Sequence, residues 1–267
     1  MIAEESTAYG NLTHPINEGG LGFNMKWNMG WANDFYEYVS LDPVYRQYHH
    51  KALNFPIMYA FTENFCLPIS HDEIVHGKKS FLDKMYGSYD DKFAQMRVAL
   101  MLMYTFPGKK MMFMGTEYAP FREWDYENSL EWFMLDYPEH RYMQEFVRAL
   151  CGLYLSSHEL WDYDFSAKGF EWLLADENEK NLVCYRRIGR DRTSLISLIS
   201  FSGSPQEVKI KVAPSKRLEV VFTSGLNVSQ KDIPVVMEDG EYFAYIYLDK
   251  FSGVILREKS GNIKIKI

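Results

Sequence analysis

Apolar positions along the chain follow two different periods, and the change of period divides it in two. In the first part helical spacing alternates with short apolar runs. Residues 31–39 set Phe35 and Val39 on one face of a helix. Asp42-Pro43 then offers an N-cap residue with proline at the first helical position, which predicts a helix to about Leu53, followed by a short helical segment over 54–64. The run Phe65-Cys66-Leu67-Pro68-Ile69 breaks into Ser70-His71-Asp72-Glu73. A buried parallel strand delivers polar side chains in this way at its C-terminal end. Ser80 and Asp83 fit a capping box, and 91–106 reads as a strong helix stopped by Pro107-Gly108. Residues 110–114 form the next buried strand, and 139–156 the next amphipathic helix. Strand and helix alternate throughout this part, which implies an α/β unit with a parallel sheet.

Beyond about Tyr163 the period falls to two. Segments 170–174, 182–186, 194–201, 207–212, 219–223, 241–247 and 253–257 read as short strands between turns such as Gly203-Ser204-Pro205. Seven strands at this spacing predict an all-β sandwich domain over 161–267, after an α/β domain over 1–160. Residues 1–4 read as the end of a buried strand that has neither turn nor cap before it. Residues 11–22, rich in Gly, Pro, Asn and Thr, predict a long loop that is either functional or disordered.

Composition narrows the function. Hydrophobic residues make up 47% of the 267, enough for a sizeable core and too many for a disordered chain. The net charge is −7 with Lys and Arg scattered, so neither nucleic acid nor an anionic membrane surface finds a basic face. The most apolar stretch, 98–106, is far short of a membrane span. Cys66, Cys151 and Cys184 are too widely separated for a disulfide framework or a CxxC metal site, which fits a reduced, cytoplasmic setting. His71-Asp72-Glu73-Ile74-Val75-His76 has its histidines too far apart for the HExxH zinc motif, and neither metal nor cofactor is expected. Aromatic residues reach 16%, which serves either a large core or rings that stack on sugar faces.

Two polar clusters sit at strand ends: Glu4-Glu5-Ser6-Thr7 and Ser70-His71-Asp72-Glu73. The interval between them matches about two β/α units of a barrel, at roughly 31 residues each. With the strand at 110–114 and the last helix, the count reaches four units, half of an eightfold barrel. Catalytic groups in such barrels come from the C-terminal ends of different strands. Glycoside chemistry needs one carboxylic acid to protonate the leaving oxygen and a carboxylate to stabilise or capture the oxocarbenium-like centre. Glu4 and Asp72 are candidates for that pair. By spacing alone, a strand-end carboxylate is more often a solvated loop residue or a helix N-cap.

At these residues the sequence resembles glycoside hydrolase family 13, and within it the glycogen branching enzymes. The resemblance is carried by Ala3-Glu4-Glu5-Ser6-Thr7, Gly19-Gly20-Leu21-Gly22-Phe23, Lys26-Trp27-Asn28-Met29-Gly30-Trp31 and Asp42-Pro43-Val44-Tyr45-Arg46-Gln47-Tyr48-His49-His50. Ser70-His71-Asp72-Glu73-Ile74-Val75-His76-Gly77-Lys78-Lys79-Ser80, Phe113-Met114-Gly115 and Arg122-Glu123-Trp124 complete it. It implies strands five to eight of a (β/α)8 barrel followed by a β-sandwich. It also implies retaining transfer of α-1,4-glucan chains (glycogen, amylose) to form α-1,6 branches. Glu4 is then the general acid/base, protonated through burial and neighbouring carboxylates, Asp72 the transition-state stabiliser and His71 a hydrogen-bond donor to the sugar. Glu5 either supports Glu4 or packs beside it.

The family's nucleophilic Asp belongs to the first half of the barrel, which would precede residue 1, in the same chain or in another. A chain lacking it is expected to be inactive alone, as a truncated piece, one half of a split enzyme, or a non-catalytic glucan-binding or structural protein. Gly115-Thr116-Glu117-Tyr118-Ala119-Pro120 departs from the family pattern, which has Asn and Gln here. Thr116 and Pro120 therefore weaken any glucan contact from that loop.

Overall fold

The computed structural model describes residues 1–7, 9–215, 217–225 and 232–258. Four parallel strands lie side by side in chain order: β1 (Ile2–Ala3), β2 (Met25–Trp27), β3 (Phe65–Ile69) and β4 (Lys109–Met112). After β2 come α1 (Met29–Ser40), α2 (Pro43–Arg46) and α3 (Lys51–Asn54). β3 is followed by α4 (Phe81–Lys84) and α5 (Tyr89–Thr105), and β4 by α6 (Pro138–Ser156). The remaining strands are β5 (Phe170–Glu177), β6 (Leu182–Ile188), β7 (Ser194–Ser200), β8 (Gln206–Lys211), β9 (Arg217–Thr223), β10 (Asp232–Glu238), β11 (Glu241–Leu248) and β12 (Gly253–Glu258). They form one antiparallel ladder in the order β5-β6-β7-β12-β9-β10-β11-β8.

Side-chain caps fix where the helices start. Asn28 accepts the Trp31 N–H at 2.9 Å ahead of α1, and Asp42 accepts from Val44 before Pro43 opens α2. Ser80 caps only the one-turn α4, so the box expected there is a simple cap. The reciprocal box is Ser88 with Asp91, and it starts the strong helix at Tyr89, two residues ahead of the expected start. From Gln95 to Thr105 every residue of α5 is buried. A helix that is apolar all round must be covered all round. Here α6 and β7 cover it together with the parallel sheet, whose Leu67 and Ile69 belong to the same core.

Alternation along the β-layer explains how two cores are filled from one set of strands. Val183, Tyr185, Leu195, Ile199 and Ile255 pack into the core that holds α5. Their neighbours Leu182, Cys184, Ile196, Leu198, Val254 and Leu256 point to the opposite face. There the curled ladder brings Val208 and Ile210 of β8 and Ala244 and Ile246 of β11 against them. All of β7 is therefore buried, each large aliphatic side chain contributing about 1.5–3 kcal/mol. Residues 157–169, with short 3-10 turns at His158–Leu160 and Ala167–Gly169, join the two layers.

Several expectations need correction. β1 is two residues long and pairs only with β2, so Ala3 is buried while Met1, Ile2 and Glu4 are exposed. β2 escapes sequence reading because it has three residues with Lys26 at its centre. Among the described residues the β-layer has eight strands, one more than expected, because Pro234 disguises β10; the proline faces Arg217 at the end of the pairing, where its missing N–H does little harm. The 11–22 loop is ordered. Glu63 accepts the N–H groups of Leu12 and Thr13 at 2.9 and 2.8 Å, and Lys26 donates to the Tyr9 carbonyl at 2.8 Å. A Cβ on Gly20 would lie 2.1 Å from the His14 carbonyl oxygen, so only glycine lets this loop fold onto itself.

Candidate active site

Parallel pairing turns the C-terminal ends of β1 and β3 to the same edge of the sheet, with β2 between them. Glu4 follows β1 and stands exposed. The burial expected to keep it protonated is absent in this chain, since no described element lies over the outer side of β1. Glu5 bends back onto its own loop and accepts the Thr7 N–H at 2.7 Å. Hydrogen bonding from Thr7 holds the Glu5 carboxyl below its ordinary range, as a loop cap rather than a support for Glu4.

The second cluster is better walled. All five residues of β3 are buried, and the chain emerges through buried Ser70 into a 3-10 turn over His71–Glu73. His71 Nε2 lies 3.2 Å from Asp72 Oδ1, and Ser70 Oγ lies 3.5 Å from Asp72 Oδ2. The two side chains are 42% and 43% exposed, so both remain reachable from the rim. The His71 ring meets Phe113, just beyond β4, at 5.7 Å between centroids and Trp124 at 5.4 Å. Phe113 and Trp124 touch each other edge to face at 5.1 Å, and Tyr126 extends the row beyond Trp124 at 6.5 Å. An imidazole locked between two rings and beside a carboxylate can offer a fixed N–H to a ligand hydroxyl. The rings themselves offer apolar faces.

Phe113 and Trp124 enter the sequence reading only as matching letters, and nothing in their spacing shows that they flank His71. The turn after β4 holds Thr116 in a buried position with its hydroxyl unpartnered. Among the described residues no group of three His, Cys, Asp or Glu side chains is placed to hold a metal.

A second polar cluster lies at the opposite, N-terminal end of β4. Asp164, wholly buried, accepts from Arg187 Nη2 at 3.0 Å, the Gly108 N–H at 3.3 Å and the Tyr154 hydroxyl at 3.2 Å, with Lys109 Nζ also 3.0 Å away. Burial alone would raise the Asp164 pKa, but Lys110, Arg187 and Lys109 outweigh it and hold the carboxyl below its ordinary range. The Lys110 ammonium is packed against the Phe106 carbonyl and the Tyr154 ring, and burial pushes its pKa down to about 7. Polar groups at this end of a barrel strand serve stability, whereas the rim carries chemistry.

No family model matches the sequence. Among solved structures, AmyP in complex with maltose superposes with a TM-score of 0.68 at 14% identity, over 96% of this chain and 55% of its own. The debranching enzyme of Nostoc punctiforme gives 0.67 at 14% identity, over 96% and 51%. An α-amylase from H. orenii gives 0.59 at 16% identity, over 97% and 53%. The fold is therefore that of the α-amylase type: the C-terminal part of a (β/α)8 barrel with the β-domain that follows.

Curated sequences narrow the class. The 1,4-alpha-glucan branching enzyme GlgB of Halothermothrix orenii is 45% identical over 229 residues, 85% of this chain and 36% of the relative. GlgB of Aquifex aeolicus is 49% identical over 198 residues, 74% and 31%. GlgB of Pseudomonas aeruginosa is 46% identical over 207 residues, 78% and 28%. The chain belongs to the 1,4-alpha-glucan branching enzyme family of glycoside hydrolase family 13. It spans about a third of the length of these relatives.

Proposed function

We propose that this chain supplies the general acid/base and the transition-state stabiliser of a 1,4-α-glucan branching enzyme whose nucleophile comes from barrel strands outside it. The observation that carries this reading is the His71–Asp72 pair at the end of β3, walled by Phe113 and Trp124, on the same sheet edge as Glu4. Glu4 gives its proton to the leaving glycosidic oxygen as the nucleophile takes the anomeric carbon. Asp72 stabilises the positive charge that develops at that carbon, and His71 donates to a hydroxyl of the same sugar. Glu4, now a carboxylate, takes the proton of an incoming glucan 6-hydroxyl, which displaces the nucleophile and forms the α-1,6 branch. No step needs a cofactor.

Glu4 must start protonated, and its exposure here calls for a cover that the first half of the barrel provides. That half, in a longer chain or a separate one, is the partner this reading requires. The division into 1–160 and 161–267 follows the same reading, as does a cytoplasmic location, supported by three unpaired cysteines. Among the described residues no helix is long and apolar enough to cross a membrane.

The test joins or mixes the chain with the first barrel half of the Halothermothrix orenii relative, incubates the product with amylose and counts α-1,6 linkages by NMR. Branching is expected from the combined protein and none from the chain alone. Asp72→Ala in the combined protein should abolish branching. A combined, folded protein that binds amylose without branching would instead favour a non-catalytic glucan-binding role, the reading to which the uncovered Glu4 lends weight.

A further inference from the structure

The turn that carries His71 and Asp72 continues through 74–80 in a conformation that its own residues do not favour. His76, Gly77 and Lys79 all have positive φ (56°, 81° and 68°), and two of the three are not glycine. Left-handed side-chain-bearing residues are unfavourable, and they persist only where the surroundings impose them. Backbone N–H groups in such a turn can face a common point, a concavity that favours an anion.

That point is occupied. Glu123 Oε2 accepts the Gly77 N–H at 2.9 Å and Oε1 accepts the Lys79 N–H at 2.5 Å. The bond from Gly77, then that from Lys79, holds the Glu123 carboxyl below its ordinary range. The next residue completes the stitch: the Trp124 N–H donates to the Ile74 carbonyl at 3.0 Å, and the Trp124 ring meets His71. The loop after β4 therefore grips the turn after β3 at three backbone points, Ile74, Gly77 and Lys79. Between those points and the sheet stand His71 and Asp72.

We propose that Glu123 is a positioning residue for the His71–Asp72 pair, acting through the backbone of 74–79 and through Trp124. The proposal deepens the branching reading, yet its geometry stands apart from the reaction. It separates Glu123 from an ordinary surface carboxylate, whose loss would leave the His71 ring where it is.

The test follows the His71 ring and the Trp124 indole by NMR in the chain carrying Glu123→Ala and Glu123→Gln. With both acceptors gone, the His71 and Trp124 signals should shift and broaden, and amide exchange at Gly77 and Lys79 should speed up by roughly tenfold or more. Glutamine keeps one acceptor oxygen and no charge, so Glu123→Gln should fall between the wild type and the alanine variant. A lowered melting temperature with unmoved His71 and Trp124 signals would overturn the proposal, reducing Glu123 to a structural latch. Should the alanine variant not fold, wild-type exchange decides: Gly77 and Lys79 amides that exchange as fast as those of an unstructured chain would refute the grip. None of these readouts depends on branching, so the failure of one reading does not disguise the failure of the other.

Discussion

Two side-chain pairs of opposite character, Asp164 with Arg187 and Asp72 with His71, stand at opposite ends of the parallel sheet. Asp164 and Arg187 are 1% and 0% exposed, and Arg187 also donates to the carbonyls of Gly169 and Thr105, while Lys109, Tyr154 and Gly108 complete the shell around Asp164. His71 and Asp72 pair with each other, Ser70 reaches Asp72, two rings meet His71, and more than a third of each side chain faces solvent. The first pair is saturated and has nothing left to offer a ligand. The second keeps donors and lone pairs free on a rigid wall. Saturation with burial marks a structural pair; a held but unsaturated pair is what a binding or catalytic site requires.

The largest way to break that contrast is Arg187→Met. It strands Asp164 in the core, where Arg187 ties β6 to the ends of α5 and of the 3-10 turn at Ala167–Gly169. A loss of about 3–5 kcal/mol is expected, read from the urea midpoint of unfolding. A loss below about 1 kcal/mol would mean that water or Lys109 replaces the guanidinium, and that the pair is not saturated as described.

Lys110 sharpens the same comparison through pH. Its folded pKa of about 7 lies below that of the unfolded chain, so between these values the unfolded state holds a proton that the folded state lacks. Stability should therefore rise with pH above about 7, by at most about 1.4 kcal/mol per unit, until the unfolded lysine also titrates. Lys110→Met should remove that slope. An unchanged slope in the variant would assign it to another group.

At the rim the expected effect on folding is smallest. Asp72→Asn keeps the shape and the half-exposed position, so the urea midpoint should move by less than about 1 kcal/mol. Branching by the combined protein should nonetheless be lost. A large destabilisation would place Asp72 among the structural pairs and undo the contrast.

Much of this was legible in residue order, because local rules suffice for it. The helical segments at 31–39 and 91–106, the helix opened by Asp42-Pro43, the strand at 65–69 and the change of period after 163 follow from caps and periodicity that act within a few residues, whereas the caps at Asn28 and Ser88 emerge only in the structure. Glu4, His71 and Asp72 were found at strand ends for the same reason. β2 and β10 were not, since three residues around a lysine, or a strand containing Pro234, lack any local mark.

What the order of residues determined is thus which segments are strands and helices and which strand ends carry carboxylates. Only the tertiary structure decided that Glu4 stands uncovered, that Glu123 grips the turn at Gly77 and Lys79, and that Phe113 and Trp124 enclose His71. It alone brings Arg187 to Asp164 across the junction of the layers. Each of these depends on which segments distant in sequence come together, set by how sheets and helices pack and not by any local propensity.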